Sequence, residues 1–384
     1  MKKKLIRITT VPASLGGLLT GQLKYVSGNY EVVGIASYEN GLLDKIGKQE
    51  DIRVIPVEMT RTISPLKDLK ATWQIYKILK KEKPFMVHTH TPKAGTLGMF
   101  AAFLARVPHR MHTIAGMPLL EARGSKRLLL DFVEKLTYSC ATMIYPNSFG
   151  LKDIIIQNKY TTPNKLKVIG NGSSNGIDTN QFDPNIVSKT EKDKLRKSLS
   201  ISLNDIVYVF VGRMVTDKGV NELVSAFSKL NTSYQNTKLI LVGPYEKELD
   251  PLWKDTDKMI SSNPNIIGVG YQPDVRPYFA ISDALTFPSY REGFPNVVMQ
   301  AGAMGVPSIV SDINGCNEIV EEGLNGFIVP PKNVEKLADA MELLYKRKKE
   351  NISFDKNKIR EMIANKYDRQ TIWKEVLKEY NSLT

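Results

Sequence analysis

The residues best suited to chemistry lie between Phe287 and Asp312, where the chain reads FPSYREGFPNVVMQAGAMGVPSIVSD. Glu292 and Gly293 occupy a polar loop in this stretch, between a short apolar run that predicts a strand and a helix predicted over Asn296 to Met304. A carboxylate such as that of Glu292 accepts hydrogen bonds from sugar hydroxyls. The pattern therefore predicts a strand–loop–helix unit that binds a hydroxyl-rich ligand, although an ordinary loop with a solvated glutamate has the same spacing.

The start of the predicted helix favours a phosphorylated ligand. Backbone N–H groups near Asn296 and Val297 have no partner within the helix, and they face outward with the positive end of the helix dipole. Gln300 lies on the second turn, within reach of a ribose. Together with Glu292, these positions predict a site for a phosphorylated sugar ligand.

The string EGFPNVVMQA resembles the E-x7-E signature of family 4 glycosyltransferases, which are retaining enzymes of the GT-B fold. In that family the first Glu, matched by Glu292, contacts the donor sugar, and the second contacts the ribose. This chain has Gln300 at the second position, where an amide still donates and accepts hydrogen bonds. The resemblance implies that the neighbouring Gly293 and Phe294 also bind the donor, and that the substitution changes nucleotide affinity rather than the fold.

A second predicted strand–helix loop carries two cations. Its sequence, Gly212 to Gly219, places Arg213 and Lys218 on either side of a turn, where paired cations neutralise a diphosphate. Surface loops often carry Arg and Lys, so this spacing does not by itself indicate a diphosphate site. Family 4 enzymes have the same G-R-x(4)-K-G string, and its cations hold the donor pyrophosphate. The resemblance therefore implies donor-binding and catalytic roles for both, with Gly243 close to the base.

The N-terminal half carries a glycine pair and a histidine at predicted strand ends. Gly16 and Gly17 lie in a predicted loop before a helix that we expect to begin near Leu18, and glycines let a backbone approach a ligand closely. Family 4 enzymes have a glycine-rich loop there, near the donor diphosphate. His112, in a predicted strand, resembles the family histidine that approaches the donor sugar and reaction centre. A structural histidine is the alternative.

The sequence HTHTPKAG follows another predicted strand and contains candidate acceptor contacts. Ligands bind at strand ends in α/β sheets, so we predict acceptor contacts by His90 and Lys93, and by Asn147 in the loop that ends the predicted strand Thr142 to Tyr145. His-x-His is also a metal-ligand pattern, but no acidic or cysteine partner has a suitable spacing. We further expect His88 and His90 to point to opposite faces of the strand, which disfavours a shared ion.

These residues must be positioned by two sets of strands that alternate with helices. The chain has 384 residues, and single cores rarely exceed about 300 residues. We therefore predict an α/β protein with two Rossmann-like doubly wound domains facing a cleft, and the family resemblance implies that this arrangement is the GT-B fold. The predicted domains are an acceptor-binding domain over 1–185 and a nucleotide-sugar-binding domain over 186–365. A C-terminal helix over 366–384 should cross back to the first domain, and we place the linker at 179–203.

The charge is concentrated in the first half of the chain. Residues 1–187 hold 26 Lys and Arg against 14 Asp and Glu, whereas residues 188–384 hold 27 against 26. A basic field favours an anionic partner, and no zinc-finger or RNA-binding signature supports nucleic acid. The predicted helix Leu66 to Lys83 has apolar residues at helical spacing among many lysines. It suits a membrane surface, or a helix that covers a sheet and has a solvated basic face. The segment Gly116 to Arg127 suits contact with a lipid-linked acceptor, or an ordinary surface loop.

The resemblance implies a retaining hexosyltransferase that moves a sugar from a UDP-linked hexose or N-acetylhexosamine to a saccharide on undecaprenyl diphosphate during capsular or O-antigen synthesis. Cations already face the diphosphate, so we expect neither a metal nor another cofactor. Cys140 and Cys316 form no disulfide framework, and no apolar run spans a membrane, so we expect a cytoplasmic protein at the inner face of the plasma membrane. The alternatives are a nucleotide-sugar epimerase of the same fold and a catalytically weak nucleotide-sugar-binding subunit.

Overall fold

The computed structural model describes residues 2–60, 62, 64–246, 248 and 250–383. The chain divides into two compact units. Unit 1 comprises Met1–Asn175 and Gln370–Thr384, and unit 2 comprises Gly176–Arg369. Positions 185 and 365, where the sequence places domain boundaries, both lie in unit 2. Within the described residues, no helix is both long enough and apolar enough to cross a membrane.

Unit 1 is built on a six-stranded parallel sheet. Its strands are short and, apart from the edge strand Arg53–Pro56, mostly buried, as expected where helices cover both faces of a parallel sheet. They are β1 (Lys4–Ile8), β2 (Glu31–Ala36), β3 (Arg53–Pro56), β4 (Met86–Thr89), β5 (His109–Ile114) and β6 (Met143–Pro146). The order in space is β3-β2-β1-β4-β5-β6, so the direction of winding reverses between β1 and β4. Such a switch point opens a ligand-binding crevice at the carboxyl ends of the strands.

Helices cover both faces of this sheet and form two separate cores. They are α1 (Pro12–Leu18), α2 (Gln22–Ser27), α3 (Leu42–Glu50), α4 (Pro65–Glu82), α5 (Pro92–Leu104), α6 (Gly124–Cys140) and α7 (Phe149–Gln157). The first three helices contribute to one core, and the last four contribute to the other. Pro begins α1, α4 and α5, where its missing N–H has no helical partner to lose.

Unit 2 repeats the topology. Its strands are β7 (Ile206–Val211), β8 (Thr237–Val242), β9 (Ile266–Gly270), β10 (Ala284–Phe287), β11 (Ser308–Ser311) and β12 (Gly326–Val329). They are all parallel, in the order β12-β11-β10-β7-β8-β9, and the switch point lies between β7 and β10. Two doubly wound sheets are therefore present, as the alternating sequence pattern predicts.

The helices of unit 2 pack around one continuous core. They are α8 (Lys189–Ser198), α9 (Val220–Ser233), α10 (Lys254–Ser262), α11 (Arg276–Ala280), α12 (Asn296–Ala303), α13 (Cys316–Ile319), α14 (Val334–Lys349) and α15 (Lys356–Tyr367). Helix α8 lies inside the segment that we interpreted as a linker. Ser188 and Glu191 form a capping box at its start, which satisfies backbone N–H groups that a linker leaves to water.

The last helix, α16 (Arg369–Asn381), packs on the sheet of unit 1. Ile372, Val376 and Tyr380 join the core on the side of α1, α2 and α3. Trp373 lies against Gly21, where a β-carbon would come within 2.6 Å of the indole ring. The end of the chain is therefore part of the core of unit 1 rather than an appendage.

Two local predictions in unit 1 are wrong. Gly16 and Gly17 do not form a loop, because α1 begins at Pro12 and contains both of them. Gly16 serves packing, since a β-carbon there would lie 2.9 Å from the side chain of Ile46 on α3. The apolar spacing from Leu166 to Ile169 also predicts a strand, but none forms there, and Leu166 makes only an isolated bridge to Ile144 of β6.

Helix α4 shows that periodicity alone does not identify the buried face. The helix covers the sheet with Ala71, Thr72, Ile75 and Leu79. Most of the apolar stripe read from the sequence points outward instead, because Leu66, Leu69 and Trp73 are exposed. The alternating apolar and basic residues of α4 therefore lie on its solvent-facing side.

Candidate functional site

The β7–α9 and β10–α12 loops of unit 2 are in contact at the carboxyl edge of its sheet, and Gly219 makes this close contact possible. Gly219 has φ +70°, and a β-carbon there would lie 2.0 Å from the carbonyl oxygen of Pro288. Any other residue at this position therefore collides with the backbone of the β10–α12 loop. Close approach lets the Tyr290 N–H donate to the Asp217 carbonyl oxygen at 2.9 Å. The turn that carries Lys218 is thus held against the loop that carries Glu292.

Lys218 and Glu292 form an ion pair, although they are 74 residues apart in sequence. The Ser289 hydroxyl donates to the same carboxylate oxygen at 2.8 Å. Both charged side chains are mostly buried. An anion that binds here can take the Lys218 ammonium as its partner, which leaves the Glu292 carboxylate free to accept hydrogen bonds from hydroxyl groups.

Arg213 lies in the same β7–α9 loop as Lys218 but pairs with a different carboxylate. Its guanidinium is 2.6 Å from the Glu246 carboxylate, and both side chains are partly solvent-accessible. Gly243 shapes this region, because its φ is +150° and a β-carbon would lie 1.7 Å from the Gly212 carbonyl oxygen. The carboxyl ends of β7 and β8 can therefore approach only with glycine at this position.

The β10–α12 loop begins its helix where the sequence predicts. Asn296 is the first residue of α12, and Gln300 lies half-buried one turn later. Phe294 has a structural role, since it is buried against Tyr367 with the ring centroids 5.3 Å apart. Gly293 is buried beneath Gly315, where a β-carbon would lie 2.5 Å from the Gly293 carbonyl oxygen. Val297, like Phe294, packs against the core of unit 2.

Several residues that hold this loop were missed by sequence reasoning. The Asn314 amide donates to the backbone oxygen of Glu292, and Arg291 pairs with Asp217 at 2.7 Å. The Tyr290 hydroxyl donates to the Glu222 carboxylate at 2.6 Å, and burial beside this carboxylate raises the pKa of Tyr290. No spacing in the sequence connects these positions, so only the fold identifies them.

In unit 1, His112 lies in β5 as a buried, neutral imidazole. Its Nδ1 lies 2.8 Å from the Thr89 hydroxyl, and a β-carbon at Gly95 would lie 2.3 Å from its Cε1. The first turn of α5 can therefore pack on the ring only with glycine at that position. Burial lowers the pKa of His112 to about 4, so the imidazole is uncharged near neutral pH.

His88 and His90 contradict the expectation that they face opposite ways. Their ring centroids are 4.1 Å apart, because residues two apart in a strand share a face. His88 bridges the Tyr380 hydroxyl at 2.5 Å and the Thr113 hydroxyl at 2.7 Å. Neither ring nitrogen of the buried His90 has a hydrogen-bond partner among the residues that the structure describes. Burial lowers the pKa of both histidines well below the usual value.

The histidines adjoin a buried guanidinium that the sequence did not reveal. Arg7 lies on β1 opposite His88, and it donates to the Tyr380 hydroxyl and to the Gln22 side chain. No carboxylate in the described chain forms an ion pair with it. The Gln22 amide in turn donates to the Ser174 carbonyl oxygen at 2.8 Å. The sequence of β1 is typical of an ordinary apolar strand, so it does not indicate that Arg7 takes part in this network.

The remaining predicted acceptor residues lie at the same edge of the sheet. Lys93, in the first turn of α5, pairs with Asp68 of α4 at 2.6 Å and donates to the Thr62 carbonyl oxygen at 2.7 Å. Asn147 follows β6 and is buried, and its carbonyl oxygen accepts from Ser173 at 2.7 Å. Lys93 therefore joins α4 to α5, whereas Asn147 joins β6 to the segment around Ser173.

A cavity of about 780 Å³ opens beside the carboxyl ends of β2 and β3. It combines an aromatic ring, two lysines and a carboxylate, and its lining consists of Tyr38, Pro56, Glu58, Met59, Thr60, Lys67, Lys70, Ala71 and Gln74. The volume is in the range of small-molecule sites. Among the described residues, no group of three His, Cys, Asp or Glu side chains is placed to hold a metal ion.

Comparison with known proteins places each unit in a recognised class. Residues 191–361 match the family model "Glycosyl transferases group 1", and residues 30–172 match "Glycosyl transferase 4-like domain". The chain is 33% identical over 381 residues to the capsular polysaccharide biosynthesis glycosyltransferase CapM of Staphylococcus aureus, which covers 99% of this chain and 97% of that protein. It is 31% identical over 287 residues to an Escherichia coli UDP-Gal:alpha-D-GlcNAc-diphosphoundecaprenol alpha-1,3-galactosyltransferase, which covers 74% of this chain and 72% of that protein.

Solved structures agree on the architecture. HepE of Anabaena in complex with UDP superposes with a TM-score of 0.80 at 20% identity, over 99% of this chain and all of that one. Sucrose-phosphate synthase of Thermosynechococcus elongatus superposes with a TM-score of 0.78 at 16% identity, over 99% of both chains. At these identities the likeness establishes the fold, which is GT-B as predicted.

Proposed function

Because the chain belongs to the glycosyl transferases group 1 family, we propose that this glycosyltransferase moves a sugar from a UDP-linked donor to a saccharide carried on undecaprenyl diphosphate, with retention of the anomeric configuration. The acceptor follows the chemistry in the names of relatives, two of which act on diphospho-undecaprenol-linked sugars. The observation that carries the donor assignment is the Lys218–Glu292 ion pair at the carboxyl edge of unit 2. No relative described above is an epimerase, so that alternative is not favoured.

The donor diphosphate takes over the two cations of the β7–α9 loop in this proposal. Arg213 exchanges its Glu246 partner, and Lys218 its Glu292 partner, for phosphate oxygens. The N–H groups at the start of α12, near Asn296 and Val297, add to the stabilisation. As the sugar–phosphate bond breaks, negative charge grows on the leaving diphosphate, and donors that are already in place lower the barrier.

Glu292, released by Lys218, then accepts hydrogen bonds from hydroxyls of the donor sugar and orients it. A phosphate oxygen of the leaving group takes the proton of the attacking acceptor hydroxyl, so a strong protein base is not required. Gln300 contacts the ribose. Because the chain itself supplies the cations, we propose that transfer needs no metal and no other cofactor. EDTA should leave the rate unchanged, and loss of activity that Mg²⁺ restores contradicts this.

The acceptor is assigned to unit 1 in this proposal. His112 and His90 contact the reacting sugars as neutral hydrogen-bonding groups, with Lys93 and Asn147 nearby. The basic residues of unit 1 hold the protein at the inner face of the plasma membrane, where an undecaprenyl-linked substrate resides. Binding to vesicles should then require anionic lipid and weaken as salt is added, because salt screens the attraction. Binding that is independent of both contradicts this assignment.

The decisive experiment is a transfer assay with the purified protein. A panel of UDP- and GDP-sugars is incubated with a polyprenyl-diphosphate-linked sugar, and the acceptor mass is measured. A gain of one sugar establishes transfer and names the donor, and NMR of the product gives the anomeric configuration. Isomerised donor with no product indicates an epimerase, and tight nucleotide binding without turnover across a range of acceptors indicates a binding subunit.

A further inference from the structure

Helix α6 presents an apolar stripe to solvent. Leu128, Phe132 and Leu136 recur every four residues, and they are 72%, 64% and 38% exposed, while Leu129 beside them is 49% exposed. Residues with this spacing lie on one face of a helix. A buried stripe of this composition belongs to a core, but this one has no covering element in the described chain. No helix was predicted here. The segment Gly116 to Arg127, interpreted as a contact with a lipid-linked acceptor or as a surface loop, overlaps only the first turn of α6.

The neighbouring helix α5 continues this apolar surface. Helices α5 and α6 pack together, and the Thr137 hydroxyl of α6 donates to the Thr96 hydroxyl of α5 at 3.1 Å. Leu136 immediately precedes Thr137, and Phe100 lies one turn beyond Thr96. The exposed large side chains of α5 are Phe100, Phe103 and Leu104. The seven exposed apolar side chains of these two helices are called the α5–α6 apolar face below.

The charges around this face are of one sign. Arg106, Arg123, Lys126 and Lys135 are exposed on or beside the two helices. Of the carboxylates of α6, Asp131 pairs with Arg127 at 2.8 Å, and Glu134 is half-buried. Among the side chains described between residues 65 and 140, no carboxylate is exposed. The apolar face is therefore rimmed by cations that no exposed acid on these helices offsets.

An exposed apolar surface of this size marks an interaction site, and its rim identifies the partner. A second copy of the chain docked symmetrically on this face would bring like charges together, which opposes association. An anionic lipid surface offers the complementary charge, and its acyl region accepts large apolar side chains. The combination of an apolar centre and a cationic rim therefore fits an anionic bilayer better than a protein copy.

We propose that the α5–α6 apolar face inserts into the boundary between headgroups and acyl chains of an anionic membrane, and that this insertion, rather than the lysines of α4 alone, holds unit 1 on the bilayer. The inference rests on the proposed function only for its purpose, which is to bring the protein to an acceptor anchored in lipid. The contact itself does not depend on sugar transfer.

Vesicle sedimentation of the full chain tests the contact. The probes are vesicles of phosphatidylethanolamine with phosphatidylglycerol, and vesicles of phosphatidylcholine alone. The test variant replaces two exposed residues of the face, Leu128→Ser with Phe132→Ser. It should bind the anionic vesicles roughly 100-fold more weakly, because moving each large apolar side chain from water into the membrane strengthens binding by about tenfold. The matched control replaces two exposed apolar residues of unit 2, Leu203→Ser with Trp253→Ser, and should bind like the parent protein.

Depth of insertion is measured separately with a polarity-sensitive fluorophore on a single introduced cysteine. The two native cysteines are buried and do not compete for the label. Emission from Leu128→Cys should shift to the blue with anionic vesicles, whereas emission from Leu203→Cys should not. Unchanged binding by the double variant, or an unshifted label at position 128, overturns the proposal. It is also overturned if the parent is a dimer that the double variant converts to a monomer without loss of lipid binding.

Transfer to a short-chain, water-soluble acceptor separates this inference from the proposed function. If the double variant no longer binds vesicles but still transfers sugar to the soluble acceptor, it is folded and both proposals are supported. If the parent transfers no sugar but the vesicle results hold, only the proposed function fails. If transfer is intact in every variant and vesicle binding is unaffected, only the insertion fails. Circular dichroism and the unfolding temperature identify a variant that fails to fold, in which case Leu129→Ser with Leu136→Ser replaces it.

Discussion

The two units share one sheet topology, but they place opposite kinds of chemistry at the carboxyl edge. Unit 2 holds charged groups that pair with each other near the surface, as Lys218 does with Glu292 and Arg213 with Glu246. Unit 1 holds neutral imidazoles that are buried, including His112 with its lowered pKa. A switch point in a parallel sheet therefore supplies a place for ligands, while the side chains that follow each strand decide which chemistry occurs there.

The difference has a physical consequence. The Arg213–Glu246 pair is partly exposed, so water and salt already weaken it. The Lys218–Glu292 pair is mostly buried, and in the proposed function a phosphate oxygen replaces the carboxylate as the partner of the ammonium. Buried imidazoles resist charging, because burial penalises the cation, so they offer hydrogen bonds without a change in charge. Unit 2 is suited to stabilise charge that develops on a leaving group, and unit 1 is suited to position hydroxyl groups.

The largest expected effect comes from removing the cations of unit 2. Arg213→Ala with Lys218→Ala should lower the rate of transfer by roughly 10⁴-fold, because each lost donor to a developing charge typically costs about a hundredfold or more. Steady-state assays measure the rate. The control, Lys229→Ala with Lys336→Ala, removes two exposed ion pairs elsewhere in unit 2 and should keep the parent rate. An unchanged rate of transfer in the Arg213→Ala, Lys218→Ala variant contradicts the assignment of the donor site.

The second effect tests how unit 2 holds its two loops together. Gly219→Ala should destabilise unit 2 by about 3–4 kcal/mol, since it adds left-handed strain to a collision with the Pro288 carbonyl. Gly323→Ala has a similar φ of +76° but meets nothing within 4 Å, so it should cost about 1 kcal/mol. Urea unfolding measures both, and equal costs contradict the close approach of the loops.

The third effect tests the neutral histidine of unit 1. The pKa of His112 is about 4 in the folded protein and about 6.5 when unfolded, so the unfolded state binds more protons between these values. The stabilisation by neutral His112 is complete above pH 6.5 and is lost as the pH falls towards 4, by about 3 kcal/mol. Urea unfolding at pH 7.5 and 4.5 should therefore show a larger acid loss in the parent than in His112→Gln.

His109 provides the comparison for this experiment. It lies at the start of β5 and is only half-buried, and although burial lowers its pKa, a half-buried group is partly screened by water. His109→Gln should therefore behave nearly like the parent across the same pH range. If His112→Gln loses as much stability as the parent between pH 7.5 and 4.5, the buried imidazole is not the origin of the acid sensitivity.

The smallest effect concerns the ribose contact of unit 2. Gln300→Glu should change the donor affinity by less than about tenfold, because an amide and a carboxylate can both accept from a ribose hydroxyl. Calorimetric titration with UDP measures the affinity. The anomeric configuration of the product should not change, and a product with the other anomer removes Gln300 from the ribose and places it near the reacting carbon.

The alternation of strands and helices follows from local residue patterns, and several elements lie where those patterns predict them. The runs Ala284 to Phe287 and Gly326 to Val329 predict strands with the bounds that β10 and β12 have, and α12 begins at the predicted Asn296. These features depend on local properties, namely short apolar runs, turn residues and the intrinsic cost of proline or glycine inside a helix. The family resemblance depends on short strings such as EGFPNVVMQA and is equally local.

Contacts between residues that are distant in sequence depend on how the chain packs in three dimensions. The Lys218–Glu292 pair depends on the close approach of two backbone segments at Gly219. The adjacent rings of His88 and His90 lie beside the buried Arg7, whose position in β1 gives no indication of this contact. The outward stripes of α4 and α6 show the same limit, since helical spacing defines a face but not the side on which the sheet lies. Contacts between distant residues depend on packing distances of a few ångströms, and a linear pattern carries no information about those distances.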